Sequence, residues 1–183
     1  MPQTASEIVV GGNGALWVAP VGTAAPTTTL AALNVAFIDM GFATEDGLTV
    51  TAGKTIVDIR VWQSFYAARK LVTDRNFRVA FSLRQWNEVN LPLAFGGAMS
   101  GTTPNYLLQP SAPEVVDTRS FVFEWVDGSK NYRLYLPVGL VSEDVETKIA
   151  RDDSAPLPLT IDVLDPGGGV KPWSLYTNDP AFA

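Results

Sequence analysis

The chain has 183 residues, of which 46% are hydrophobic and 17% charged, with a formal net charge of −6 and neither Cys nor His. That length and apolar content suit one domain with a real core and argue against wholesale disorder. The missing residue types exclude disulfide scaffolds, zinc sites, thiol nucleophiles and His-based triads. The acidic balance and the lack of a Lys/Arg cluster argue against sequence-specific nucleic-acid binding.

No apolar run approaches the ~20 residues that span a bilayer, so no membrane insertion is expected. The start, MPQTASEIVVGGNG, has neither a basic n-region nor a continuous apolar h-region and does not read as a secretory signal. The expectation is a protein used in a cytosol, or assembled there into something that leaves.

Residues 1–34 hold two apolar patches, Ile8-Val9-Val10 and Leu16-Trp17-Val18, with GGNG between them and APVGTAAPTTTLAALN after them. Gly, Pro, Ala and Thr dominate, which predicts a strand with a flexible arm or loop. Val35 to Phe42 reads as a strand. Glu45-Asp46-Gly47 reads as a turn, with Gly47 supplying positive φ.

The most regular patterning follows. Thr55, Val57, Ile59 and Val61 alternate with Lys54, Asp58 and Arg60, and Phe77, Val79, Phe81 and Leu83 alternate with Asn76, Arg78, Ser82 and Arg84. Period-2 alternation predicts two strands, each with one buried face. The sequence between them, VWQSFYAARKLVTDR, has no Pro or Gly. It reads as a long hairpin with its tip near Ser64 to Ala67, with a helix over Gln63–Lys70 as the competing reading.

RQWNEVNLPLAFGG, residues 84–97, predicts a short helix after the second strand. Asn90 serves as N-cap, Pro92 falls in the first turn where its missing N–H is harmless, and Gly96-Gly97 stops the helix. Leu91, Leu93 and Phe95 are expected to plug an open side of the core.

Residues 96–118 read as loop. Arg119–Val126 and Asn131–Val138 form a second hairpin across Asp127-Gly128. Leu157, Leu159, Ile161 and Val163 mark a late strand, which Pro156 and Pro158 make an edge or a point where the chain enters the sheet. The tail DPGGGVKPWSLYTNDPAFA reads as an arm that docks elsewhere. The expected fold is a single mainly β domain over 1–183. It would be an antiparallel sandwich or small barrel with one short flanking helix, and the segments 1–34 and 165–183 would be extended or inter-subunit.

Chemical signals are weak. Glu45-Asp46, Glu143-Asp144-Glu146 and Asp152-Asp153 match no calcium-loop spacing and read as solvated turns. A glycosidase would need two carboxylates facing across a cleft, which 19 acids cannot specify by sequence. GGNG and GGG lack the Lys-Ser/Thr that completes a phosphate loop. No cofactor and no catalytic or metal-binding residue is implied. Trp125 shares a face with Phe121 and Phe123 and belongs to the core. Trp62 and Trp86 sit on the mixed-polarity parity, fitting either a surface covered by a neighbouring subunit or strand-end packing. A carbohydrate-binding sandwich using these Trp residues is one reading, and self-assembly through edge strands and arms is the other.

Three stretches carry a resemblance: GFATEDGLTV, then TIVDIRVWQS, then VTDRNFRVAFSLRQWNEVNLPLAFGG. With YRLYLPVGLV and APLPLTIDVL, their order and spacing resemble the major tail tube protein of long-tailed bacteriophages, of the kind found in phages of actinobacteria. The resemblance covers about three quarters of the chain. It implies a β-sandwich subunit that forms hexameric rings stacked into a non-contractile tail tube, located in the virion tail and assembled in the host cytoplasm. The long hairpin, with Trp62, Gln63, Ser64, Phe65 and Tyr66 at its tip, would contact neighbouring subunits and help build an inner barrel. Asp58, Arg60, Asp74, Asn76 and Arg78 are the lumen-lining candidates, a set of mixed sign. Implied partners are further copies of the chain, a tape-measure protein, tail terminator and distal tail proteins, and double-stranded DNA passing without sequence-specific binding. A cousin with the same subunit fold, the inner tube of a contractile injection machine, is the alternative.

Overall fold

A computed structural model describes residues 4, 7–110, 116–151 and 153–182. Asp152, the ends of both terminal segments and part of the 96–118 loop lie outside the described residues. The elements are β1 (Asn13–Pro20), β2 (Ile38–Asp39), β3 (Thr49–Arg60), β4 (Ala67–Leu83), α1 (Asn90–Phe95), β5 (Ala98–Thr102), β6 (Asn105–Gln109), β7 (Thr118–Asp127), β8 (Lys130–Val141), β9 (Leu157–Val163) and β10 (Ser174–Thr177). Eight strands form one antiparallel sheet in the order β2-β1-β7-β8-β9-β4-β3, with β10 also on β8, while β5 and β6 form a separate pair. Among the described residues there is one α-helix.

The sheet folds over at β8, which makes the architecture a sandwich. β8 gives the half from Tyr132 to Tyr135 to β10 and the half from Gly139 to Val141 to β9. A bulge interrupts the β7–β8 ladder next to Ser120, whose hydroxyl donates to the Pro137 carbonyl at 2.6 Å. Gly139 is where β9 crosses closely: a Cβ there would lie 2.6 Å from Ile161 and 3.3 Å from the Phe121 ring. The two halves then face each other. Phe81 on β4 meets Phe123 on β7 edge-on at 5.4 Å, although β8 and β9 separate those strands in the sheet order. Val79, Leu83, Leu157, Leu159 and Ile161 from one half, and Leu16, Phe121, Leu134 and Leu136 from the other, complete this core.

The outer face of β1, β7 and β8 has its own cover. The Thr/Ala/Pro-rich segment 21–37 lies on it and buries Phe37 against Ala19, Val122 and Tyr135. The Arg133 guanidinium, itself buried, donates to the carbonyls of Thr28 and Ala31 at 2.5 and 2.8 Å and pairs with Glu124 at 2.5 Å. A segment expected to be flexible is therefore pinned by an Arg on the strand beneath it.

Several expectations need correcting. Only Ile38 and Asp39 of the Val35–Phe42 stretch are strand, because Phe37 and Met40 are buried on either side of a two-residue bridge to β1. Of the two readings of Pro158, the entry point holds: it is the second residue of β9 and pairs with β4 alone, and only farther on does β9 lie between β8 and β4. It is tolerated because β8 pairs with β9 only from Ile161 onward, which leaves the Pro158 nitrogen no ladder bond to donate. Residues 96–118 contain the β5–β6 hairpin. The segment 165–183 is not a free arm over Ser174–Thr177, where it pairs with β8 of its own chain.

Candidate assembly surfaces

Strands β3 and β4 are longer than the body of the fold. From Val50 to Arg60 is ten steps, about 33 Å at the ~3.3 Å rise of a strand. At the base, the β4 face carrying Val79, Phe81 and Leu83 is buried, and Phe77 stacks on Trp173 of the C-terminal segment at 4.8 Å. Beyond Phe77 none of the described residues covers the hairpin. Ile56, Val57, Ile59, Leu71 and Val72 are all exposed, and at the tip Trp62 and Phe65 are fully exposed. The expected buried face of the Thr55–Val61 strand is therefore absent within one chain. The expected tip, Ser64 to Ala67, falls in the turn between Arg60 and Ala67 except that Ala67 itself opens β4, and of the competing helix residues 67–70 are strand while 63–66 form the turn.

Register decides which side chains share a face. Thr55 pairs with Asp74 but Ile56 pairs with Val72, so Thr73 is a bulge residue in β4. Cross-strand pairing puts Asp74, Asn76 and Arg78 on one face with Thr51, Gly53 and Thr55. It puts Asp58, opposite Lys70, and Arg60 on the other face with Lys54, opposite Arg75. The five lumen candidates therefore do not form one surface: three lie on one face and two on the other. Parity counted along the sequence missed this because opposite residues across the first ladder pair an odd number with an even one.

The hairpin also concentrates positive charge, contrary to the expectation of no basic cluster. Residues 54–78 hold six of the thirteen cationic and two of the nineteen acidic side chains, hence +4 against −10 for the rest of the chain. Lys70 pairs with Asp58 at 3.2 Å, and Arg78 with Asp162 at 2.6 Å and Glu143 at 3.4 Å. No ion pair forms at Lys54, Arg60, Arg69 or Arg75 among the described residues. Lys54 opposite Arg75 is a like-charge cross-strand pair, which on its own destabilises the ladder.

The helix plug is real but its residues have other roles. The helix runs Asn90–Phe95, ends at Gly96 with φ of 74°, and contributes Leu93 to the core with Leu91 half-buried behind it. Asn90 is not the N-cap. Its side chain is fully buried and donates to the carbonyls of Met40 and Gln85 at 2.8 and 2.9 Å, tying the helix to the chain before the turn. Asn87 accepts from the Val89 and Asn90 amides at 2.9 and 2.8 Å instead. Phe95 stays outside the core and meets Trp86 edge-on at 6.4 Å, while the Trp86 indole N–H donates to Ala155. Trp86 is thus strand-end packing, and Trp62 alone stays uncovered.

The C-terminal segment is held by a polar lock that sequence reading missed. The Tyr132 hydroxyl donates to the buried Asp179 carboxylate at 2.6 Å, and the Lys130 ammonium lies 3.0 Å from it. The hydrogen bond from Tyr132, with the Ala181 amide and Lys130 adding to it, holds the Asp179 carboxyl down to about 2; the same bond and burial push the Tyr132 phenol up to about 12. One sign was readable in principle: an Asp-Pro pair, Asp179-Pro180, closing a segment that carries Trp173 and Tyr176.

Finally, the two free ends of the sheet approach each other. A cleft of about 490 Å³ lies between the start of β1 and the turn leading into β3, lined by Gly12, Gly14, Leu16, Phe42, Leu48 and Trp125 among others. Glu45 stands at its mouth beside Asp46. Among the described residues no cluster of three or more His, Cys, Asp or Glu side chains could hold a metal ion.

A family model for phage tail tube proteins matches residues 1–183, the whole chain. The chain belongs to the phage tail tube protein family. Tail tube proteins of this family are structural virion components of the tail rather than enzymes, and they self-assemble into a tube that associates with other tail proteins. No curated protein matches the chain. The exposed hairpin described above therefore belongs to a phage tail tube protein.

Proposed function

We propose that the chain forms hexameric rings that stack into the tail tube, that the tube encloses the tape-measure protein during assembly in the host cytoplasm, and that double-stranded DNA passes through it at ejection. The terminator and distal tail proteins would cap its two ends. The observation that supports this reading is the hairpin of β3 and β4: one end is built into the core, and the other exposes apolar side chains on both faces over a dozen residues. An isolated two-stranded ribbon is marginal in water, so the distal half needs neighbours on both sides.

The face carrying Thr51, Thr55, Asp74, Asn76 and Arg78 is our assignment for the lumen. It is short-chained and polar, and Arg78 is already neutralised by Asp162 and Glu143. Such a face offers little to bind DNA phosphates. The opposite, basic face with Lys54, Arg60, Lys70 and Arg75 would attract them, and we assign it to contacts with acidic surface of other subunits. Negative-stain microscopy of the purified protein at high concentration should show rings or hollow tubes. Strictly monomeric behaviour at every concentration and salt would contradict the reading.

A further inference from the structure

We infer that the aromatic tip of one subunit's hairpin inserts into the cleft between β1 and the Phe42–Leu48 turn of a second copy, with Arg60 and Arg69 of the first meeting Glu45 and Asp46 of the second. This rests on the reading of the chain as a self-assembling tube subunit, and it names the surface that receives the hairpin.

The tip is a compact knob. Trp62 and Phe65 are fully exposed and Tyr66 nearly so, although nothing in the loop forces three aromatics into water. Rings of this kind bury about 150–250 Å² each, so the three supply about 450–750 Å². A stable interface needs about 800 Å² per partner, and the flanking Ile59 and Leu71 furnish the balance.

The cleft matches the knob in size and chemistry. Its 490 Å³ holds two aromatic side chains and leaves the third to cover the rim. Its floor is bare backbone at Gly12 and Gly14, which lets a ring approach closely, and its walls are Leu16, Phe42, Leu48 and Trp125. Phe42 is 75% exposed, an apolar wall left open by the described residues. The charges complement each other as well. Arg60 and Arg69 flank the tip without an ion pair; Glu45 is exposed at the mouth without one, and so is Asp46 at the next position of the same turn, on the side away from the cleft.

Geometry requires a second copy. Val50, at the base of β3, lines the cleft, and the tip lies about 33 Å farther along the same paired ribbon. The ribbon cannot bend its own tip back to its own root. Knob and cleft are therefore different patches on each molecule, and their contact is heterologous. A contact of that kind closes into a ring or runs on as a filament, which is the property a tube subunit requires.

The chain has no cysteine, so engineered pairs report cleanly. The variant Phe65→Cys with Phe42→Cys, assembled and mildly oxidised, should give a reducible ladder of dimers, trimers and higher species on denaturing gels. Each single variant should remain unlinked. Wild-type tubes seen by microscopy alongside variant tubes that give no ladder would overturn the inference and leave the tube reading standing. A wild-type protein that never assembles would defeat both. Should the cysteine variant fail to assemble, charge reversal decides. Glu45→Lys with Asp46→Lys, or Arg60→Glu with Arg69→Glu, should each reduce assembly at least tenfold, and the chain carrying all four should recover it. Loss without recovery would overturn the inference.

Discussion

Within β4, Val79, Phe81 and Leu83 alternate with Ala80 and Ser82 and are buried, while in the paired strand Ile56, Val57 and Ile59 occupy a ladder bounded by two bulges and are all exposed. The two regions share backbone geometry, strand propensity and apolar content. They differ in what faces them: β7 and α1 close over the first, and none of the described residues closes over the second. Alternation therefore states that a face is to be covered, and not by which molecule. In this tail tube protein the strand pattern runs past the end of its own core, and the proposed assembly completes it with another copy.

The comparison can be broken most forcefully at the buried end. Phe123→Ala removes a ring stacked on Phe121 and set edge-on to Phe81. It should lower stability by about 3–5 kcal/mol, read as a shift in the urea midpoint. Asn90→Ala should cost about 1–3 kcal/mol, because the carbonyl of Met40 loses its partner in a buried site. A much smaller loss would show that water replaces the side chain.

The polar lock gives a local and smaller effect. Asp179 is depressed from 3.8 to about 2, so its contribution is present above about pH 4 and is lost as pH falls toward 2. Tyr132 is raised from 10.0 to about 12, so its contribution is full below pH 10 and is lost as pH rises to 12. Nuclear magnetic resonance signals of Trp173 and Tyr176 should shift in those two windows while the core methyl signals hold. At the exposed end, Trp62→Ala with Phe65→Ala should change monomer stability by no more than about 0.5 kcal/mol while tube formation is lost.

Much of this was legible from the sequence. The Asp127-Gly128 hairpin, the Glu45–Gly47 turn, the long β3–β4 ribbon and the Gly96 stop follow from local rules that tertiary context did not override. Three features were hidden for physical reasons. The β5–β6 pair, AMSGT and NYLLQ, carries little apolar alternation. The anchoring of segment 21–37 depends on Arg133, more than a hundred residues away from its partners, and a charged residue in a strand reads as solvent-facing. The split of Asp58 and Arg60 from Asp74, Asn76 and Arg78 depends on a cross-strand register that pairs odd residues of β3 with even residues of β4, which composition does not signal.

The central claim is that residues 54–72 are completed by a second copy. Amide hydrogen–deuterium exchange on monomer and assembled tube tests it most directly. The account predicts rapid exchange across this stretch in the monomer, strong protection in the tube, and protection of Phe77–Leu83 in both. Equal protection of residues 54–72 in the two states, or free exchange there within intact tubes, would contradict it.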